Sequence, residues 1–167
     1  MSSDYDALSL RPITDADLPF LYRVYAMTRW EELAPTGWTQ DQKEEFLRQQ
    51  FMAQHEWWQK EYDSTSFDIV ERGGTPVGRL YVARWERELR IVDIAILPEY
   101  RGGGIGTRLV ERIMSEAEQS GRAVRIHVEA FNRARNLYER LGFAQIENKG
   151  VYLLMERAAP IASASAQ

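Results

Sequence analysis

The chain has 167 residues, 44% of them hydrophobic and 28% charged, a length that supports one domain with a core of its own. Its 21 basic and 25 acidic residues leave a formal net charge of -4, which argues against nucleic acid as the main partner, because binding phosphates needs a basic footprint. There is no cysteine, so disulfides, thiolate metal sites and cysteine nucleophiles are excluded, and with only His55 and His127 no metal site is expected.

Residues 1–7 are acidic and polar and lack the basic segment and apolar run of a secretory signal. No stretch reaches the ~18 apolar residues of a membrane span, so a cytoplasmic protein without membrane contact is expected. Residues 8–12 read as a short first strand closed by Pro12. Thr14 and Asp17 resemble a capping box with Asp in the usual Glu or Gln place, ahead of a helix over about 15–28 that carries Leu18, Leu21, Tyr22 and Tyr25 on one face. Pro35-Thr36-Gly37 marks a loop. Thr39 is an N-cap for a long helix to about Tyr62, with Leu47, Phe51, Trp58, Tyr62 and His55 on one stripe.

The period then changes. Residues 67–71, 77–85 and 89–97 read as strands, the first two joined by a hairpin turn over 72–76. Strict alternation in the third puts Val92, Ile94 and Ile96 on one face and Ile91, Asp93 and Ala95 on the other. A helix follows over 104–119, with Ile105, Leu109, Ile113 and Ala117 at four-residue spacing and Gly121 as its stop. Next come a strand (124–128), a short helix (132–141) stopped by Gly142, and two strands (143–147 and 151–156) around the turn 148–150. This order mixes hairpins with one strand-helix-strand crossover. It predicts an α/β domain over residues 1–157, a mixed sheet with helices on both faces, and an Ala/Ser-rich tail over 158–167. The last strand is apolar enough to pair at the edge of a homodimer or to lie in the middle of the sheet.

The segment Arg101-Gly102-Gly103-Gly104-Ile105-Gly106-Thr107 joins a strand to a helix and carries the main chemical signal. Its glycines permit positive φ and close backbone approach to a ligand. Successive N–H groups then form a nest for anions, reinforced by the positive end of the following helix and by the charge of Arg101. The chemistry fits a pyrophosphate. A Walker A loop is excluded for want of its lysine. The dinucleotide fingerprint fails at Leu109, although Glu129 stands about 20 residues on, near the place of a ribose-binding acid.

Leu97 to Gly106 resembles the signature of the GCN5-related N-acetyltransferases, the GNAT superfamily, Arg/Gln-x-x-Gly-x-Gly/Ala after an apolar strand and a proline. Asn132-Arg133-Ala134-Arg135-Asn136-Leu137-Tyr138-Glu139-Arg140-Leu141-Gly142-Phe143 resembles the Asn-x-Ala-x-x-Leu-Tyr-x-x-x-Gly-Phe segment of the same family. The resemblance implies the GNAT-like acyl-CoA N-acyltransferase fold, a mixed sheet of about seven strands flanked by four helices, and acetyl-CoA as cosubstrate. It implies that main-chain groups of Arg101, Gly102, Gly103, Gly104, Ile105 and Gly106, with Thr107 beside them, hold the pyrophosphate. It implies also that Ile94, Ala95, Ile96 and Leu97 pair with the pantetheine arm in a gap between two strands. One N–H there would polarise the thioester carbonyl, Asn132 would bind the pantetheine, and Tyr138 would bind the cofactor and give a proton to the departing thiolate.

Direct attack on the thioester requires a neutral amine, and an alkyl ammonium has a pKa near ~10.4. Asp93 is the expected base, with Glu129, His127, Glu31 and Glu32 as alternatives. An ion pair with Arg84 or Arg125 is the other reading of Asp93. Trp30, Glu31, Glu32 and Trp38, between the first two helices, are the expected walls for a small-molecule or peptidic amine. The competing readings are a non-catalytic acetyl-CoA sensor and a dinucleotide-binding domain.

Overall fold

The computed structural model describes residues 7–62 and 64–160; the polar start (1–6) and most of the Ala/Ser-rich tail (161–167) lie outside the described residues. Seven strands are present: β1 (Leu8–Pro12), β2 (Thr65–Arg72), β3 (Thr75–Arg84), β4 (Glu88–Ile96), β5 (Ala123–Glu129), β6 (Ala144–Asn148) and β7 (Tyr152–Arg157). They form one sheet in the order β1-β2-β3-β4-β5-β7-β6. Every neighbouring pair is antiparallel except β4 and β5. A two-residue turn at Gly73 and Gly74, both at positive φ, suffices for the β2–β3 hairpin, whereas the parallel pair needs a helical crossover. Of the two readings open for the last strand, the place inside the sheet is the one found: β7 lies between β5 and β6, and the sheet edges are β1 and β6.

The helices are α1 (Leu18–Arg29), α2 (Gln40–Glu61), α3 (Ile105–Ser120) and α4 (Ala134–Arg140). Thr39 caps α2 as expected: Gln42 N–H donates to its hydroxyl at 3.2 Å, and Thr39 N–H donates to Gln42 Oε1 at 2.9 Å. Asp17 accepts from Thr14 N–H at 2.8 Å, but that box opens a 3-10 turn (Asp15–Asp17), and α1 begins only at Leu18. Where a loop is expected at Pro35–Gly37, the chain makes a second 3-10 segment, Trp30–Thr36, that Gly37 ends at φ 71°. Among the described residues, no helix is long and apolar enough to cross a membrane.

Each face of the sheet buries its own core. On one side Leu109, Val110, Ile113 and Ala117 of α3 pack with Leu80, Val82, Leu89, Ile91, Val124 and Val128, and Tyr138 and Phe143 join them. On the other, Leu21 and Tyr25 of α1 and Leu47 and Phe51 of α2 pack against Ile69 and Tyr81. Each fully buried Leu or Ile contributes about 1.5–3 kcal/mol, and so fixes which strand face meets which helices.

The expected alternation in β4 fails at one residue. Tyr81 opposes Asp93 and Val82 opposes Ile91, so Val92 is the extra residue of a bulge. Ile91 therefore shares the α3 face with Ile94 and Ile96, while Val92 packs in the core beneath α1 and α2. A bulge bends its strand. Consistent with that, β4 and β5 pair only over Glu88–Ile91 and Ala123–Ile126, and beyond them the two strands part.

Candidate active site

The β4–α3 connection has the geometry its glycines predict. A short 3-10 turn (Pro98–Tyr100) leaves β4, and the guanidinium Nε of Arg101 donates to the carbonyl of Ile96 at 2.9 Å, fastening the loop to the strand. Gly102 (φ 84°) and Gly104 (φ 81°) adopt the left-handed conformation that a side chain disfavours. Gly103 and Gly106 do not, and a Cβ at either would meet nothing within 4 Å, so neither is required by the protein's own packing. Among the described residues, none of the amides from Gly102 to Thr107 donates to another main-chain group outside α3. Those of Ile105, Gly106 and Thr107 are the first-turn donors that a helix cannot satisfy itself. Two expected contributors are corrected. The Arg101 amide donates to Pro98 O at 3.2 Å, and Leu97 donates to Val77 O at 2.9 Å while its carbonyl accepts from Tyr100, also at 2.9 Å. Neither amide is free for a ligand.

A cavity of about 1370 Å³ runs from this cradle along the end of β4 that β5 does not pair, and on to α4. Gly102, Gly104, Ile105, Gly106 and Thr107 line it at the loop, Ile94, Ala95 and Ile96 along the strand, Asn132, Leu137 and Tyr138 from the α4 side, and Met27, Thr28, Trp30 and Glu31 from the α1 side. The Leu97–Val77 bond sets the phase of the β3–β4 ladder. Bonded and unbonded positions alternate in an antiparallel pair, so Ala95 directs its main-chain groups to β3 and Ile94 and Ile96 direct theirs into the gap. Of the four residues expected to pair with an extended ligand, Ile94 and the Ile96 amide are thus available, the Ile96 carbonyl being taken by Arg101.

Tyr138 sits on α4, 4% exposed, with its ring 5.6 Å from that of Phe143. Burial, and secondarily the negative charge of Asp93, push its hydroxyl up to about 12, so the phenol holds its proton throughout the neutral range. Asn132, two residues ahead of α4, accepts from Ala134 N–H through Oδ1 at 2.8 Å. Asn132 lines the cavity, and its carboxamide N–H groups donate to no other described residue.

The candidate bases separate. Glu31 lines the cavity, whereas Asp93, Glu129, His127 and Glu32 do not. Asp93 stands two residues before Ala95, and its Oδ2 accepts from Arg79 Nε at 2.6 Å. Arg79 is 4% exposed, with Trp58 and Tyr81 rings 5.4 and 5.1 Å from its guanidinium carbon. The ion-pair reading of Asp93 holds in kind with a different partner, Arg79, since Arg84 binds Glu116 and Arg125 binds Glu156 and Glu88. Trp38 is also misplaced by the sequence reading: it packs on Phe46, ring centroids 5.2 Å apart, and lines a separate shallow depression with Asp41 and Gln49. Arg133 and Arg140 line the cavity and were not anticipated as site residues. Their spacing with Leu137, four and then three residues along one helix face, was the signal available.

A sheet parted at its one parallel pair, with unengaged amides at one end of the gap and a protonated phenol inside it, describes a protein for a long phosphorylated carrier whose reactive end reaches between two strands. The single parallel pair also excludes the several consecutive parallel strands of a doubly wound dinucleotide fold. A model of the Acetyltransferase (GNAT) family matches residues 25–143, and the chain belongs to that family. It is 36% identical over 101 residues to an uncharacterized N-acetyltransferase of Methanocaldococcus jannaschii, covering 54% of this chain and 44% of the relative. It is 33% identical over 66 residues to the ribosomal protein bS18 alanine N-acetyltransferase of Haemophilus influenzae, covering 39% and 45%. The chain thus spans less than half the length of these curated relatives. The PaiA N-acetyltransferase of Thermoplasma acidophilum, solved in complex with coenzyme A, shares the fold with a TM-score of 0.67 at 17% identity, over 91% of this chain and 99% of that one.

Proposed function

We propose that the protein moves an acetyl group from acetyl-CoA to the primary amine of a small-molecule or peptidic acceptor by direct attack. The observation that carries the proposal is the continuity of one cavity from the free amides of Gly102–Thr107, along the unpaired end of β4, to Tyr138. The amides and the α3 dipole hold the pyrophosphate. Main-chain groups of Ile94 and Ile96 hold the pantetheine arm as an added strand, with Asn132 on the opposite wall. An N–H in the gap polarises the thioester carbonyl.

The acceptor enters from the α1 side, where Trp30 forms a wall and Glu31 attracts the ammonium. Loss of the amine's proton to Asp93 through one water leaves the neutral nucleophile. Nitrogen attacks the carbonyl carbon, the carbon–sulfur bond breaks, and the departing thiolate accepts a hydrogen bond from Tyr138 while it takes its proton from solvent. The alanine acceptor named for the Haemophilus influenzae relative supports including a peptide amino terminus among the acceptors. Thiol release from acetyl-CoA should appear with at least one member of a panel of diamines, amino sugars and alanine-ended peptides, with the acetylated amine seen by mass spectrometry. Binding of CoA without thiol release from any amine would replace this reading with that of a sensor.

A further inference from the structure

The cavity wall has a charge imbalance that the roles above do not use. In a chain of net charge -4, the cavity is lined by three arginines, Arg101, Arg133 and Arg140, and a single carboxylate, Glu31. Arg101 is committed through Nε to the Ile96 carbonyl. Among the described residues, Arg133 and Arg140 form no ion pair, and Glu139, the one carboxylate of α4, is taken by Arg135 at 3.0 Å. Arg133 and Arg140 are seven residues apart, two turns of helix, which places them on one face and ~10.5 Å apart along the axis. Leu137 lies between them on the cavity wall.

Two exposed guanidiniums aligned on a cavity wall without counter-charges suit a ligand that brings the charge itself. The amide nest suits the pyrophosphate, whose charge is spread over a bridged pair of phosphates. A phosphate monoester is different. It carries nearly two negative charges at pH 7 and three acceptor oxygens, a geometry that guanidinium forks match. We propose that Arg133 and Arg140 form a second anion subsite that takes the 3′-phosphate of the CoA ribose, so that the protein distinguishes CoA from its 3′-dephospho form. This rests on the acetyl-CoA reading of the cavity.

The test is calorimetric binding of CoA and of 3′-dephospho-CoA to the full chain and to the double variants R133A/R140A and R133K/R140K, with unfolding curves to establish that each is folded. Wild type should bind CoA at least about tenfold more tightly than 3′-dephospho-CoA, a modest factor because the contacts are exposed. R133A/R140A should lose that factor for CoA and leave 3′-dephospho-CoA unchanged. R133K/R140K should keep part of it, since charge remains but the fork does not. Raising the salt from about 0.05 M to about 0.5 M should shrink the discrimination. Equal affinity of wild type for the two ligands overturns the subsite. So does an equal loss of both ligands in R133A/R140A, which would place the arginines on the shared pyrophosphate. Binding of neither ligand to wild type removes the acetyl-CoA reading itself, and this inference with it.

Discussion

Replacing Tyr138 by Phe removes one hydroxyl from a buried ring and leaves the packing on Phe143 in place, so its effects divide cleanly between chemistry and stability. The phenol's acidity, pushed up to about 12, decides the size of the chemical effect. A thiol of ordinary pKa near ~8.5 is a stronger acid than that phenol. Full proton transfer ahead of bond cleavage is therefore uphill, and Tyr138 acts chiefly by donating a hydrogen bond to sulfur as charge develops there. That argues for the low end of general-acid effects, about 100-fold in kcat, or about 2.7 kcal/mol. CoA affinity should change less than about threefold, because the ring and the cradle remain. The stability effect has its own pH window. A phenol raised from 10.0 in the unfolded chain to about 12 in the fold contributes stability that is complete below pH 10 and lost between about 10 and 12. Two pKa units correspond to about 3 kcal/mol. The variant should lack this alkaline loss and show a flatter unfolding free energy across that range. Steady-state thiol release and denaturant titrations at several pH values measure both effects. A kcat within about threefold of wild type would refute the hydrogen-bonding role.

Gly104→Glu should abolish CoA-dependent thermal stabilisation, because a carboxylate enters the amide nest and the left-handed φ of 81° adds about 1–2 kcal/mol of strain; an undiminished CoA shift in a folded variant would sink the cradle. Asp93→Asn takes the counter-charge from buried Arg79 and should cost about 3 kcal/mol or more of stability. It should also lower kcat, and a stability loss with an unaltered kcat in the folded variant would relegate Asp93 to holding Arg79. Asp17→Asn should cost about 1–2 kcal/mol at neutral pH, because Arg11, at 2.8 and 2.9 Å, holds the Asp17 carboxyl down to about 2. That difference from wild type should be full above about pH 4 and vanish as pH falls toward 2, and a difference constant with pH would count against the pair.

The parts of this fold legible in the sequence are those specified by neighbours in sequence. Thr39 with Gln42 announces α2, and Ile105, Leu109, Ile113 and Ala117 announce the buried face of α3, because caps and helical stripes are local. The glycines at 102 and 104 announce the cradle for the same reason. The bulge at Val92 is invisible because it depends on how β3 and β4 align, and no residue near it signals an irregularity. Arg79 was missed as the partner of Asp93 because it lies 14 residues earlier on the adjacent strand, where pairing register alone brings the two together. Trp38 fails for a related reason. The 3-10 segment Trp30–Thr36 carries the chain past the cavity before Gly37 turns it, so the two tryptophans of one loop end on different surfaces.

That same bulge relates the two faces of the sheet. Were β4 to alternate regularly through Val92, Ile91 and Asp93 would share a face, and Asp93 would lie toward α3. With the bulge, Asp93 reaches the α1–α2 side, where buried Arg79 requires a counter-charge, and Ile94 and Ile96 return to the α3 side as cavity wall. The strand bends at the point where its pairing with β5 ends, after Ile91 and Ile126. One break in the alternation of β4 thus accounts for a carboxylate on one face, an apolar wall on the other and an opening beside them, and a cavity lined from both faces suits a two-substrate transfer.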